Sequence, residues 1–211
     1  MRAHTAFSAL RRTCAAAMLA LPALALAAYP EKPITIIVPF AAGGPTDVLT
    51  RVIAERMARE LAQPMIVENT PGAGGTVGNA RAARAKPDGY TVLAGNVGTL
   101  AASNSFYRKL PYDMHKDFVG IASIGDAPQI VSARKDFPPT GLEALHDYVK
   151  PQESKVTFGA AGVGSGSYLG GVLLNNALGL NVEAINYRGA GQALTDVIAG
   201  HVDYMVDSST T

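Results

Sequence analysis

Four short stretches of this chain hold residue types suited to gripping an anion, and three of them set glycines between a β-rich run and a helical one. The first is Phe40-Ala-Ala-Gly-Gly-Pro-Thr-Asp47, entered from the β-branched segment 34–38. A strand, a glycine turn and a helix start leave unpaired backbone N–H groups at the positive end of a helix dipole, where carboxylates bind. Gly43 and Gly44 allow the backbone to approach a ligand with no side chain between. Asp47 has two readings of about equal weight. Either it is a first-turn carboxylate favourable to the helix dipole, or it belongs to the site. In a site it would repel an anion directly, so it would accept from a ligand ammonium or hydroxyl, or hold the loop shape.

The second stretch, Asn69-Thr-Pro-Gly-Ala-Gly-Gly-Thr-Val-Gly78, has two glycines of a dinucleotide fingerprint, Gly72 and Gly74. Val77 stands where the third should be, and no Gly-Lys-Ser/Thr follows, which excludes a phosphate P-loop. A tight turn before a close-packed helix is the expectation here. The third stretch, Gly159-Ala-Ala-Gly-Val-Gly-Ser-Gly-Ser-Tyr168, repeats the strand–glycine–helix design. Ser165 and Ser167 add hydroxyls, one of which should cap the helix. Ser165 has Val163 and Ser167, not glycines, two positions to either side, so it lacks the pattern of a nucleophile elbow and is no hydrolase serine. The fourth, Tyr187-Arg188-Gly189, puts Arg188 at a strand end, positioned either for a charge-assisted fork with a carboxylate or simply on the surface.

The elements that must hold these loops alternate. Strands are expected at 34–38, 65–67, 90–94, 155–159, 182–187 and 202–206. Helical stripes fall at 46–61, 75–85, 98–108, 141–149, 167–178 and 191–199. Residues 119–133 read as one long extended stretch interrupted at Pro128. Strand–helix–strand units imply parallel sheets covered on both faces. Two such series joined by one crossing segment imply two α/β lobes, 28–127 and 128–211. Ligands of such sheets sit beyond the carboxyl ends of the strands. That rule adds Asn96 and Asp207, in the loops after the strands at 90–94 and 202–206, to the candidates.

Composition narrows the function further. The net charge is +1, and near-neutral balance without a basic block excludes nucleic acid as a partner. Residues 1–27 carry Arg2, Arg11 and Arg12, an apolar run at 15–25 and Ala25-Leu-Ala27, the pattern of a cleaved secretory leader. Its removal leaves 15 basic and 17 acidic residues, a charge of −2, and takes away Cys14, the only cysteine. No thiol nucleophile, disulfide or thiolate metal site remains. His115, His146 and His201 lack metal-ligand spacing, and no nucleophile pairs with a base. A periplasmic, monomeric binding protein without a cofactor is the expectation, not an enzyme.

Several blocks then match a known family in order: Tyr29-Pro-Glu-Lys-Pro-Ile34, Pro39-Phe40 with Gly43-Gly44 and Asp47, Val67-Glu-Asn69 with Pro71-Gly-Ala-Gly-Gly75, Pro87-Asp-Gly-Tyr90, Leu110-Pro-Tyr-Asp113 with Asp117-Phe118, and Tyr187-Arg-Gly189. Across 29–211 the chain resembles the Bug family, the extracytoplasmic receptors of tripartite tricarboxylate transporters. The resemblance implies a fold like type II periplasmic binding proteins, two doubly wound lobes around a cleft that closes on a small carboxylate. It also implies the transporter's membrane subunits as partners. It assigns Gly43, Gly44 and Asp47 to one wall of the cleft, and Gly164 to Tyr168, with Ser165 and Ser167, to the other. Tyr168 stands where the family usually has His, keeping a donor but losing a titratable ring. Asn186 stands where the family usually has Pro. Family members run roughly half as long again, since a receptor crossed twice must return to its first lobe. The first lobe is therefore expected to be incomplete, with a sheet edge unpaired. Two other readings stand beside this one: a non-binding remnant, and a lobe of a nucleotide-binding α/β enzyme, which the failed fingerprint and the leader disfavour.

Overall fold

The structure, a computed structural model, describes residues 29–210; the leader expected over 1–27 lies outside them. From Lys32 onward the chain packs as one compact unit, and Tyr29–Glu31 belong to the unit before it. Strand β1 (Ile34–Val38) is β-branched throughout and almost wholly buried, which makes it the centre of the first sheet. It runs parallel to β2 (Met65–Asn69) on one side and β3 (Thr91–Leu93) on the other, in the order β2-β1-β3. Helix α1 (Pro45–Leu61) connects β1 to β2, and α2 (Thr76–Ala83) connects β2 to β3. Pro45 begins α1, where its missing N–H costs nothing, and Ala62 ends it in the left-handed conformation. After β3 a wide helical turn (Gly98–Ala102) tightens into the short α3 (Ser103–Phe106).

The second sheet has the order β4-β7-β5-β6. Strand β5 (Thr157–Ala160) pairs in parallel with β6 (Glu183–Asn186) and β7 (Tyr204–Ser208). Helices α5 (Gly166–Ala177) and α6 (Ala190–Ala199) make the two crossovers. Two expectations change here. Strand β4 (Gln129–Ala133) is antiparallel to β7, with Gln129 opposite Ser208 and Ala133 opposite Tyr204, so this sheet is not all parallel. The long extended stretch expected from 119 is a strand only from Gln129 on. Residues 119–128 include the β-branched Val119, Ile121 and Ile124, but among the described residues they have no ladder partner. Val119 and Ile121 are 90% and 78% exposed. Residue type marks a segment able to pair; a partner makes it a strand. Strand β7 also begins two residues later than expected, because His201 and Val202 turn back to donate to the Asp196 carbonyl at the end of α6.

Helix α4 (Leu142–Val149) and α5 cover one face of the second sheet around Phe158 and Tyr204, whose rings stack 6.0 Å apart. The other face, with α6, shares a core with the first sheet. Ile36, Val38 and Phe40 lie in one apolar cluster with Ala161, Ala193, Val197 and Met205. The alanines on that shared face keep the strand ends of both sheets close. None of the described helices is long and apolar enough to cross a membrane.

Candidate functional site

Three helices begin where the strand ends of the two sheets meet. Gly44 precedes α1 in an extended conformation, so the first turn opens on Pro45 and Thr46. Ser165 caps α5, its Oγ accepting from the Tyr168 N–H at 3.2 Å. The Ser167 hydroxyl accepts from the Ala161 N–H at 2.9 Å and lies 3.2 Å from the Ser165 Oγ. Gly189, also extended, precedes α6, which starts at Ala190. A Cβ placed on Gly44 would lie 3.8 Å from that of Ala190, so the starts of α1 and α6 face each other. Between them is a cleft of about 20 Å³, lined by Phe40, Gly44, Pro45, Thr46 and Asn96 from the first sheet's side. Ala161, Ser165, Gly166, Ser167, Ala190 and Asp207 line it from the second sheet's side. That volume holds a water molecule and little more. A larger hollow of about 340 Å³ beside Tyr107, Arg108 and His115 is an open surface depression away from these helix starts.

Of the residues singled out in the sequence, Phe40, Gly44, Asn96, Ser165, Ser167 and Asp207 line the cleft. Asn96 also builds its own loop: its Oδ1 accepts from the Gly98 and Thr99 N–H groups, at 3.0 and 3.3 Å. Gly43, Asp47, Gly164, Tyr168 and Arg188 do not line the cleft. Asp47 is buried and fully engaged, accepting from the Gly43 N–H (2.9 Å), Arg51 Nε (3.0 Å) and Asn69 Nδ2 (2.9 Å). Burial pushes its pKa up, but hydrogen bonds from Arg51, Gly43 and Asn69 outweigh that and hold it below the ordinary carboxylate value. Of its earlier readings, this geometry is that of a carboxylate holding the loop. Gly43 is the loop residue that it holds. Tyr168 packs its ring edge-on to Phe106, centroids 5.4 Å apart, and against Phe158. A Cβ on Gly164 would come 3.2 Å from the Tyr107 ring. Arg188 is exposed, and its backbone ties the sheets together: its carbonyl accepts from the Ala41 N–H at 3.2 Å.

The glycines of 72–78 pack as expected of a tight turn. A Cβ on Gly78 would meet Pro39 at 2.8 Å. Gly74, at φ +60°, reaches across to the second sheet, where a Cβ would lie 1.8 Å from the Val163 carbonyl oxygen. Tyr107 closes the same seam, its single hydroxyl lying 2.8 Å from the Ala73 carbonyl and 2.7 Å from that of Val163. Gly98 does likewise against residues 164–166, where a Cβ would come within 2.5 Å of the Gly166 nitrogen.

With the site in place, the comparisons decide the family. The family described as the tripartite tricarboxylate transporter family receptor matches residues 49–211. The chain belongs to that family. A UPF0065 protein encoded in the TAR-I ttuE–ttuC′ intergenic region of Agrobacterium vitis is 42% identical over 182 residues, 86% of this chain and 52% of its own. Among solved structures, the periplasmic binding protein BugD superposes with a TM-score of 0.81 at 41% identity, over 87% of this chain and 61% of its own. MatC from Rhodopseudomonas palustris, solved with bound malate, gives 0.82 at 40% identity, over 85% of this chain and 61% of its own. The fold is therefore that of the Bug and TctC periplasmic binding proteins. This family member spans about half the length of the curated relatives it matches.

Gly166, within the stretch 164–168 that the resemblance assigned to the cleft, lines it, and so do Pro45, Thr46, Ala161 and Ala190, which were not singled out. Thr46 and Gly166 had a signal, since each follows a candidate glycine or cap by one or two positions at a helix start. Ala161 and Ala190 had none: an alanine matters here only through what it leaves uncovered.

Proposed function

We propose that this chain captures a small organic carboxylate in the cleft, outside the cytoplasm, and presents it to the membrane subunits of a tripartite tricarboxylate-type transporter. One observation carries this reading: the first turns of α1, α5 and α6 converge on one cleft whose lining contains no Lys, Arg or His. Backbone N–H groups, helix dipoles and the hydroxyls of Thr46, Ser165 and Ser167 are then the donors an anion would find there, beside the Asp207 carboxylate. Malate in MatC supports the carboxylate class, and the leader pattern over 1–27, with BugD a periplasmic protein, supports the compartment. Ser165 and Ser167 are held by backbone amides and by each other rather than by a base, which favours binding over covalent chemistry.

The two sheets would act as lobes, 28–127 and 128–211, hinged near 125–130. A cleft of about 20 Å³ is too small for a dicarboxylate, which would enter only as the lobes part. The test is thermal unfolding with a panel of mono-, di- and tricarboxylates and amino acids. A ligand at about 100 times its Kd stabilises by roughly 2.7 kcal/mol, a rise of roughly 5–10 °C for a chain of this size. A cooperative transition that no carboxylate moves would overturn the proposal and favour a non-binding remnant.

A further inference from the structure

We infer that Tyr107 is a positioning residue of the cleft. Its hydroxyl clamps the loop that carries Ser165 and Ser167 to the first lobe, and so sets how readily the lobes part. The inference rests on the reading of the cleft as a carboxylate site between two lobes. Tyr107 follows α3 directly and belongs to the first lobe. Its hydroxyl lies between two carbonyls, that of Ala73 on its own side and that of Val163 on the other. Ala73 has φ +45°, rare for a residue with a side chain, inside a turn closed by the Gly75 N–H on the Gly72 carbonyl at 3.0 Å. That end of the clamp is therefore fixed by the first lobe itself.

The other end belongs to the cleft wall. Val163 stands in a short loop tied twice, by the Ser165 N–H on the Gly162 carbonyl (3.0 Å) and by the Ala161 N–H on the Ser167 hydroxyl (2.9 Å). A loop so tied shifts as one piece, so a pull on Val163 carries the Ser165 and Ser167 hydroxyls with it. Phe106, at the end of α3, meets the Tyr168 ring edge-on and adds a second contact across the seam. Burial pushes the Tyr107 pKa up from its ordinary value, so the hydroxyl keeps its proton. That one proton serves two carbonyls. When the lobes part it turns wholly to Ala73, and only the Val163 carbonyl is left for water to satisfy. The clamp thus releases without stranding a buried hydroxyl, as a contact made and broken with each ligand must.

The experiment follows single amides by hydrogen exchange in the ligand-free chain. The Ala41 N–H donates across the seam to the Arg188 carbonyl, so it exchanges when the lobes part. The Thr35 N–H donates to the Tyr90 carbonyl inside the first lobe and serves as the reference. Tyr107→Phe is expected to speed Ala41 exchange about fivefold relative to Thr35, the equivalent of one hydrogen bond. Tyr204→Phe is the control. It removes a hydroxyl bond of 2.6 Å to Asn175 within the second lobe and is expected to leave that ratio at the parent value. With malate as probe, dissociation is expected to be about fivefold faster from Tyr107→Phe than from the parent, and unchanged from Tyr204→Phe. An unchanged Ala41 ratio in Tyr107→Phe, or an equal change in Tyr204→Phe, overturns the inference, as does malate that leaves both variants at the same rate. An unfolding panel in which no acid moves Tm overturns the carboxylate reading instead, and the exchange ratio still decides the clamp.

Discussion

Loops 40–47 and 69–78 leave neighbouring strands of the first sheet, carry two and four glycines, and meet different neighbours. Gly44 has room beside it, since a Cβ there would touch Ala190 at an ordinary 3.8 Å, and its loop opens on the cleft. Gly74 has none, and its loop is pressed onto the Val163 carbonyl of the second sheet. One loop exposes backbone to the cleft, while the other uses missing side chains to let two sheets touch. Glycine content alone is therefore no sign of an anion site. What distinguishes the loops is what stands opposite each.

The sharpest way to break this comparison is to add a methyl where there is no room. Gly74→Ala forces a Cβ into a carbonyl at positive φ and should cost about 4 kcal/mol, lowering Tm by roughly 10 °C in a thermal scan. A Tm within two degrees of the parent would mean that loop 69–78 does not hold the seam. Gly44→Leu reverses the pattern. Its side chain should push the cleft walls apart at a smaller cost in Tm than Gly74→Ala, and carboxylate affinity should fall more than about tenfold by calorimetry. Unchanged affinity would remove loop 40–47 from the site.

Smaller changes sharpen the picture. Asp47→Asn removes the charge that Arg51 and two other donors share, and about 2 kcal/mol of stability should go with it. Because the folded pKa of Asp47 lies below its unfolded value near 3.8, its contribution is present above that pH and lost as pH falls through the folded pKa. The gap in Tm between parent and Asp47→Asn should therefore be full at pH 6 and shrink below about pH 4. A gap independent of pH would mean that the charge is not what matters. Tyr107→Phe should have the mildest effect, about 1 kcal/mol and a Tm loss of roughly 2–4 °C, from leaving the Ala73 and Val163 carbonyls without its hydroxyl.

The alternation of β-branched runs and helical stripes was enough to read most elements, because a strand's period and a helix's stripe are local properties. It placed β1, α1 and α6 within a residue or so. It missed that β4 runs antiparallel and that 119–128 forms no ladder, since direction and pairing belong to two segments at once. The same limit governs the site. Gly44 and Ser165 are legible from their place at a helix start, where the chain itself leaves backbone donors unpaired. Asp47 lies in the first turn of α1, one turn before Arg51, and Asp207 lies on β7; that Asn69 also reaches Asp47 is not legible from either segment.

The sequence by itself determined that this is an α/β chain with glycine-opened helix starts, no thiol after its leader pattern and no metal-ligand spacing, because those follow from residue type and periodicity. Only the tertiary structure decided that Arg51 and Asn69 would claim Asp47 while Asp207 would face the cleft. A carboxylate's role depends on which donors surround it: Gly43 and Arg51 lie four residues from Asp47 in the chain, but Asn69 comes from the end of a different strand, and only folding brings it there.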